Sequence, residues 1–278
     1  MNIQSLGFPM TSHDGHRWVL AAAVPAKVDA VLLWLPALGV AAKHYQPFAT
    51  KLAERGVAVF MHEWRGNGSS SLRPSRDIDW GYRQILELDL PQSFDAAARK
   101  FRGLPLIIGG HSLGGQLASL FAAQYPTAFS QLWLVASGTP DWRSFPMPLR
   151  WLLPFAYRLL PLLAKRKGYL DGHRIGFGGI EARGLISDWA RVGRTGRYAA
   201  KGMDFDFEAA LRQLAIPAHT VAFTDDWLAP RSSMAALLAK LAPAQRKSII
   251  LNARQLGTAA NHFAWMKQPD SVVDCLLE

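Results

Sequence analysis

The sequence predicts an α/β fold, a mostly parallel sheet covered by helices on both faces and interrupted by a helical insertion. Three observations carry this. Across about the first 140 residues, short apolar runs alternate with segments of helical periodicity, and the alternation resumes after residue 217. Between residues 140 and 205 it stops, and prolines, glycines, tryptophans and basic residues take over. The third observation is the stretch 104–116, where an apolar run passes into a helical pattern through Gly110-His111-Ser112-Leu113-Gly114.

Residues 16–25 and 30–36 read as strands separated by a polar turn at 27–29, and the second is apolar throughout, as a central strand requires. Residues 37–39 lead into a helical pattern carrying His44, Tyr45, Phe48 and Leu52, which stops at Gly56. Residues 57–64 form the next strand. The turn after it, Arg65-Gly66-Asn67-Gly68-Ser69-Ser70, uses its glycines for turn geometry, and the lysine of a phosphate-binding loop is missing. His62 and Glu63 lie near enough to the strand end to touch a site, although structural roles are the default. From 79 to 101 a helical pattern meets Pro91, which is expected to kink or split it. The strand at 104–108 and its helix to Tyr125 follow, then a buried strand at 130–138. Strands at 216–224 and 247–252 lead into loops holding Asp225-Asp226 and Asn261-His262-Phe263, and a helical segment at 270–277 closes the chain.

The spacing at 110–114 is that of a sharp strand-to-helix turn, with small residues on either side of Ser112 where a Cβ would clash. Ser112 then stands above the sheet edge. The helix opening at Leu113 presents an unpaired N–H and the positive end of its dipole, a donor for an oxyanion formed beside Ser112.

This stretch resembles the nucleophile elbow of the α/β-hydrolase family. Arg65–Ser70 looks like the family's Arg-Gly-x-Gly-x-Ser turn; Asp226 precedes Pro230 by four, as in its D-x-x-x-P; and Asn261-His262-Phe263 stands where relatives commonly have Gly-His-Phe. The chain is most similar to capped serine esterases and monoacylglycerol lipases of a bacterial-type branch. The resemblance implies an α/β-hydrolase core over 1–139 and 206–278, with a cap, or lid, over 140–205. It implies a catalytic triad in the chain order Ser112, Asp226, His262, with Asp225 as the alternative acid. It also implies a second oxyanion donor after the strand at 30–36, with the N–H of Leu38 preferred to that of Ala37.

The chemistry expected is cleavage of a carboxylic ester with an apolar acyl or aromatic group through an acyl-enzyme. Trp142, Trp227 and Trp265, beside the proposed site loops, are candidates to line an apolar pocket, as is Trp64, with core packing the default for each. Thioesterase, lactonase, amidase and acyltransferase activities use the same machinery, and a non-catalytic ligand-binding homologue keeps the fold; these alternatives stay open. A serine at the elbow excludes the carboxylate-dependent chemistry of epoxide hydrolases and haloalkane dehalogenases. No cofactor is expected, and no His, Cys and carboxylate cluster at ligand spacing points to a metal.

The 278 residues carry 31 Lys and Arg against 21 Asp and Glu, a formal charge of +10. Residues 140–205 alone hold 12 basic and 5 acidic side chains, which concentrates the excess in the insertion. A basic segment suits anionic lipid, nucleic acid or an acidic substrate, and most often it is solvated surface. A nucleic-acid partner is not expected; peripheral membrane contact through the basic cap is the sharper alternative. Within the cap, the apolar stretch 151–164 carries two prolines and is too short and broken to span a bilayer, which makes it a lid over an apolar pocket. The lone Cys275 and the absence of a leader pattern at residues 1–7 give cytoplasmic as the expected compartment.

Overall fold

The structure, a computed structural model, describes residues 2–278. Two nine-residue strands, β1 (Ile3–Thr11) and β2 (Arg17–Pro25), open the chain as an antiparallel hairpin. Then come β3 (Ala30–Leu35), α1 (Gln46–Ala53), β4 (Val57–Met61), α2 (Leu90–Lys100), β5 (Leu106–His111), α3 (Leu113–Gln124) and β6 (Gln131–Val135). An excursion follows with α4 (Leu149–Lys167), the short strands β7 (Tyr169–Asp171) and β8 (Ile180–Ala182), and α5 (Arg183–Thr195). The chain returns through α6 (Phe207–Gln213), β9 (Ala218–Phe223), α7 (Arg231–Leu238), β10 (Arg246–Leu251), α8 (Ala253–Leu256) and α9 (Asp270–Leu277).

Eight strands form one sheet in the order β1-β2-β4-β3-β5-β6-β9-β10, with β2 antiparallel to β4 and every pair from β4 onward parallel. Leu33 lies opposite Ile108, Ile108 opposite Leu132 and Leu132 opposite Ala218, so these strands are in step and their C-terminal ends share one edge. Strand side chains alternate between two cores. Leu33, Leu35, Ile108 and Leu134 pack with α2, α3 and α6, whereas Leu32, Trp34, Ile107 and Trp133 pack with α1 and α9.

Strand β1 has no counterpart in the sequence reading. Gly7 and Pro9 weaken its pattern, but as an edge strand it pairs with β2 alone, and an edge tolerates proline. The region expected to be helical from 79 to 101 is helical without a break over 82–100, π-helical over Gln84–Asp89 and α-helical from Leu90, and Pro91, which has no N–H to donate, sits where the wider π turn passes into α2. That π-helical segment directs Asp89 inward. Arg65 forks onto Asp89 (2.6 and 2.8 Å) and onto Asp14 (2.7 and 2.9 Å), and His16 Nδ1 sits 3.2 Å from Asp89. Against the upward push of partial burial, hydrogen bonds from Arg65 and Ser12 hold the Asp14 carboxyl well below the usual carboxylate range. The Arg-Gly turn is thereby fastened to the hairpin and to the π-helical segment.

The apolar stretch in the excursion is a continuous 19-residue helix rather than a broken one, with both Pro154 and Pro161 inside it. Pro161 deprives the Tyr157 carbonyl of its helical partner, and Arg194 of α5 donates to that carbonyl at 2.8 Å instead. Gly193 admits the Tyr157 ring at the α4–α5 contact, and α4 ends at Gly168 in the left-handed region, at φ 97°. No helix among the described residues is long and apolar enough to cross a membrane.

Candidate active site

Ser112 sits between β5 and α3 with φ 56° and ψ −120°, a conformation L-residues rarely adopt, and it is half-buried. The flanking glycines are obligatory. A Cβ on Gly110 would lie 2.3 Å from the Gly114 carbonyl carbon, and one on Gly114 would lie 2.0 Å from the Leu35 oxygen. That absence lets the start of α3 press against the end of β3. As the first residue of α3, Leu113 has no helical acceptor, and among the described residues its N–H has no hydrogen-bond partner.

After β9 the chain turns through Asp225 and Asp226. Asp225 is exposed, whereas Asp226 is 4% exposed. Asp226 Oδ1 accepts the N–H groups of Leu228 (2.9 Å) and Ala229 (3.0 Å), and Oδ2 lies 2.7 Å from His262 Nδ1. The structure therefore joins His262 to Asp226. The N-cap of α7 is Pro230, without a side-chain bond. Asn261 stands in place of the glycine of relatives, and its Oδ1 accepts the N–H groups of Phe263 (3.1 Å) and Ala264 (2.9 Å), bracing the loop that carries His262. Ser112 and His262 line one cavity; no hydrogen bond joins their side chains among the described residues.

The loop after β3 is held from three sides. Trp64 Nε1 donates to the Pro36 carbonyl at 2.9 Å, Gly114 packs on the Leu35 and Pro36 carbonyls, and the Ala37 N–H donates to the Tyr45 hydroxyl at 2.9 Å. That hydroxyl is 2.8 Å from Nδ1 of His111, the residue before Ser112. Burial, and then the neighbouring His262, hold the His111 imidazole well below its ordinary range. Because Tyr45 occupies the Ala37 N–H, only the Leu38 N–H of this pair is without a partner among the described residues. Sequence reading missed Tyr45 and His111 as braces, since nothing in their local pattern announces a bond across 66 residues.

The cavity occupies about 270 Å³. Besides Ser112, His262, Ala37 and Leu38, its walls include Phe145, Leu153, Leu160, Phe177, Trp189 and Trp227, an apolar surface drawn largely from the excursion. Of the tryptophans proposed for it, Trp227 alone lines it. Trp142 lies in a 3₁₀ turn, half-buried with Arg150 5.7 Å over its ring; Trp265 is a fully buried core residue against Trp34, Phe48 and Phe223. Trp189 of α5 lines the wall instead; nothing near it in sequence marks the site. His62 and Glu63 are structural. His62 Nδ1 is 2.9 Å from Ser93 Oγ, and burial lowers its imidazole to about 3; Glu63 accepts the Ala42 and Ser69 N–H groups.

Behind the Leu38 loop lies another residue that the sequence did not announce. Glu181 is 2% exposed and accepts the Gly179 N–H at 2.7 Å, and the Gly178–Gly179 backbone lies against Gly39, where a Cβ would fall 2.2 Å from the Gly179 nitrogen. Burial pushes its carboxyl up to about 7, opposed by the Gly179 N–H. With the folded value above the ordinary 4.5, the folded protein retains the proton longer than the unfolded chain. This contribution to stability is complete below about 4.5 and is lost as the pH rises through about 7. Glu181→Gln, which does not titrate, is therefore expected to gain about 3 kcal/mol relative to wild type between pH 4 and pH 8 in urea unfolding. A difference independent of pH would show that this carboxyl is solvated.

The strand order, the positive-φ serine at the strand-to-helix turn and the His262–Asp226 pair at the shared strand edge are the architecture of the α/β-hydrolase superfamily. The chain belongs to the family described as Hydrolase_4, serine aminopeptidase S33, whose family model matches residues 26–192. Among curated proteins it is similar to the chloroplastic pheophytinase of Arabidopsis thaliana, 29% identical over 142 residues, covering 43% of this chain and 29% of that protein. It is similar too to the monoglyceride lipase of Homo sapiens, 30% identical over 92 residues, covering 33% of this chain and 29% of the lipase. The matched stretches thus span under a third of either relative's length. Among solved structures, a hydrolase from Pseudomonas aeruginosa superposes with a TM-score of 0.62 at 18% identity, covering 98% of this chain and 97% of that one, which shows the shared fold.

Proposed function

We propose that this protein hydrolyses carboxylic esters of small molecules with an apolar acyl or aromatic group, with Ser112, His262 and Asp226 as its triad. The observation carrying this is a single apolar cavity whose wall holds both Ser112, at φ 56°, and the histidine bonded to Asp226. His262 Nε2 takes the Ser112 proton as Oγ attacks the ester carbonyl, and Asp226 fixes the imidazole orientation through Nδ1. The N–H groups of Leu113 and Leu38 hold the oxyanion, and collapse of the tetrahedral intermediate expels the alcohol, which takes its proton from His262. Water, deprotonated by His262, then adds to the acyl-enzyme, and the carboxylic acid leaves as Ser112 recovers its proton.

In this reading residues 140–205 form a cap over a core of 1–139 and 206–278, and inner-face residues of α4 set the acyl chain that fits. Names of relatives such as pheophytinase and monoglyceride lipase agree with a substrate of this kind. Peripheral contact of the basic cap with membranes belongs to the same reading.

Intact-mass labelling with a fluorophosphonate tests the serine. One adduct is expected on wild type, and none on Ser112→Ala or His262→Ala. A panel of esters graded by chain length, run beside thioesters and lactones, then separates the ester reading from its neighbours. Well-folded wild type that takes no adduct and turns over nothing in the panel would instead support a ligand-binding homologue without catalysis.

A further inference from the structure

Viewed down its axis, α4 has three faces. Leu149, Leu153, Ala156, Tyr157 and Leu160 line the cavity, as residues three and four apart on one side of a helix should. Trp151, Leu152, Phe155, Leu159, Leu162 and Leu163 form a second sector, also at helical spacing, and are 43–72% exposed. Between these sectors, Arg158, Pro161 and Lys165 border a cleft of about 760 Å³ that they share with Arg183 and Arg194 of α5 and with Lys201. The helix contains five cations, Arg150, Arg158, Lys165, Arg166 and Lys167, and no acid.

Six large apolar side chains in one exposed sector make a contiguous patch larger than soluble surfaces usually leave open. Its charge surroundings narrow what covers it. Among the described residues the side-chain cations of Arg150, Arg158, Lys165, Arg166 and Lys201 form no ion pair, whereas Asp79 and Asp188 at the cleft are already paired with Arg183 and Arg191. A second copy of the chain meeting this face symmetrically would set the unpaired Arg150, Arg158, Lys165 and Arg166 of one α4 against those of the other, which disfavours self-association. An anionic bilayer answers both features. Its acyl region takes the apolar sector, and its phosphates take cations whose long stems reach outward along the flank.

We infer that α4 docks this protein on anionic phospholipid membranes, lying in the plane of the surface with Trp151, Phe155 and Leu159 inserted. Arg158, Lys165 and the cleft behind them receive headgroup phosphates. This deepens the reading of residues 140–205 as a cap, because the helix that meets the lipid on one side walls the acyl cavity on the other. An apolar ester dissolved in the bilayer then reaches the cavity without crossing bulk water.

Flotation with phosphatidylcholine vesicles, with and without phosphatidylserine, tests this. Binding is expected to require phosphatidylserine, to weaken as salt is raised, and to fall at least tenfold in the double variant Phe155→Ser, Leu159→Ser and in Arg158→Ala, Lys165→Ala. The Phe155→Ser, Leu159→Ser protein is expected to keep the wild-type rate on a short, water-soluble ester, which verifies its folding. No vesicle binding at low salt, or binding unchanged in both double variants, would overturn the inference; so would sedimentation as a dimer that these changes dissociate. Vesicle binding without fluorophosphonate labelling would remove the catalytic reading alone, and labelling without vesicle binding would remove the docking alone.

Discussion

Ser112→Ala is expected to lower kcat for a short-chain ester by on the order of a million-fold while leaving KM nearly unchanged. In the proposed mechanism Oγ forms the acyl bond, and the other hydroxyl-bearing residues among the described cavity lining, Thr139 and Tyr157, lie away from the strand-to-helix turn. Alanine meets the same positive φ as serine, so the turn keeps its backbone strain and the folded structure persists. Residual turnover of roughly a thousand-fold over water would be the part due to the oxyanion donors and to binding. The measurement is kcat and KM for wild type and variant from the same preparation, with circular dichroism as the folding control. A loss below about a hundredfold would move the nucleophile elsewhere.

Asp226→Asn is expected to cost on the order of 10⁴ in kcat/KM. The substituted amide oxygen can still accept the Leu228 and Ala229 N–H groups that Oδ1 accepts now, which preserves the turn. Its amide nitrogen then faces His262 Nδ1 and donates where the carboxylate accepted, leaving the proton on Nε2 and the imidazole unable to act as a base toward Ser112. Asp225→Asn, on an exposed side chain, is expected to stay within about twofold of wild type. Reversed effects in the two variants would exchange the aspartates.

The central parallel strands, the elbow and the two loops beyond β9 and β10 were legible because local rules govern them. Apolar runs signal buried strands, and the glycine at 110 reports a clash with Gly114 four positions on, although the glycine at 114 clears the Leu35 carbonyl of a distant strand. What escaped depends on contacts far apart in sequence. Strand β1 carries Gly7 and Pro9 and is a strand because β2 pairs with it. Trp142 and Trp265 lie close to site residues along the chain, yet the first turns onto Arg150 and the second points into the core. Trp189 and Glu181 reach the site's surroundings only because the excursion folds back over the strand edge. The choice between Ala37 and Leu38 depended on one hydroxyl, that of Tyr45, which sequence has no means of aiming. Pro154 and Pro161 looked like breaks in α4 because the Arg194 donor that replaces a lost helical bond comes from another helix.

The meeting of Gly39 with Gly178 and Gly179 separates what selection can vary from what it must keep. Main chain lies on main chain there, so the spacing between the Leu38 loop and the excursion does not depend on the size of any side chain at those three positions. Leu153, Ala156 and Leu160 occupy the opposite wall and can be enlarged or trimmed one at a time. Under the proposed ester hydrolysis, a lineage built on this arrangement can vary the acyl length that its helix wall admits while the Leu38 loop keeps its place.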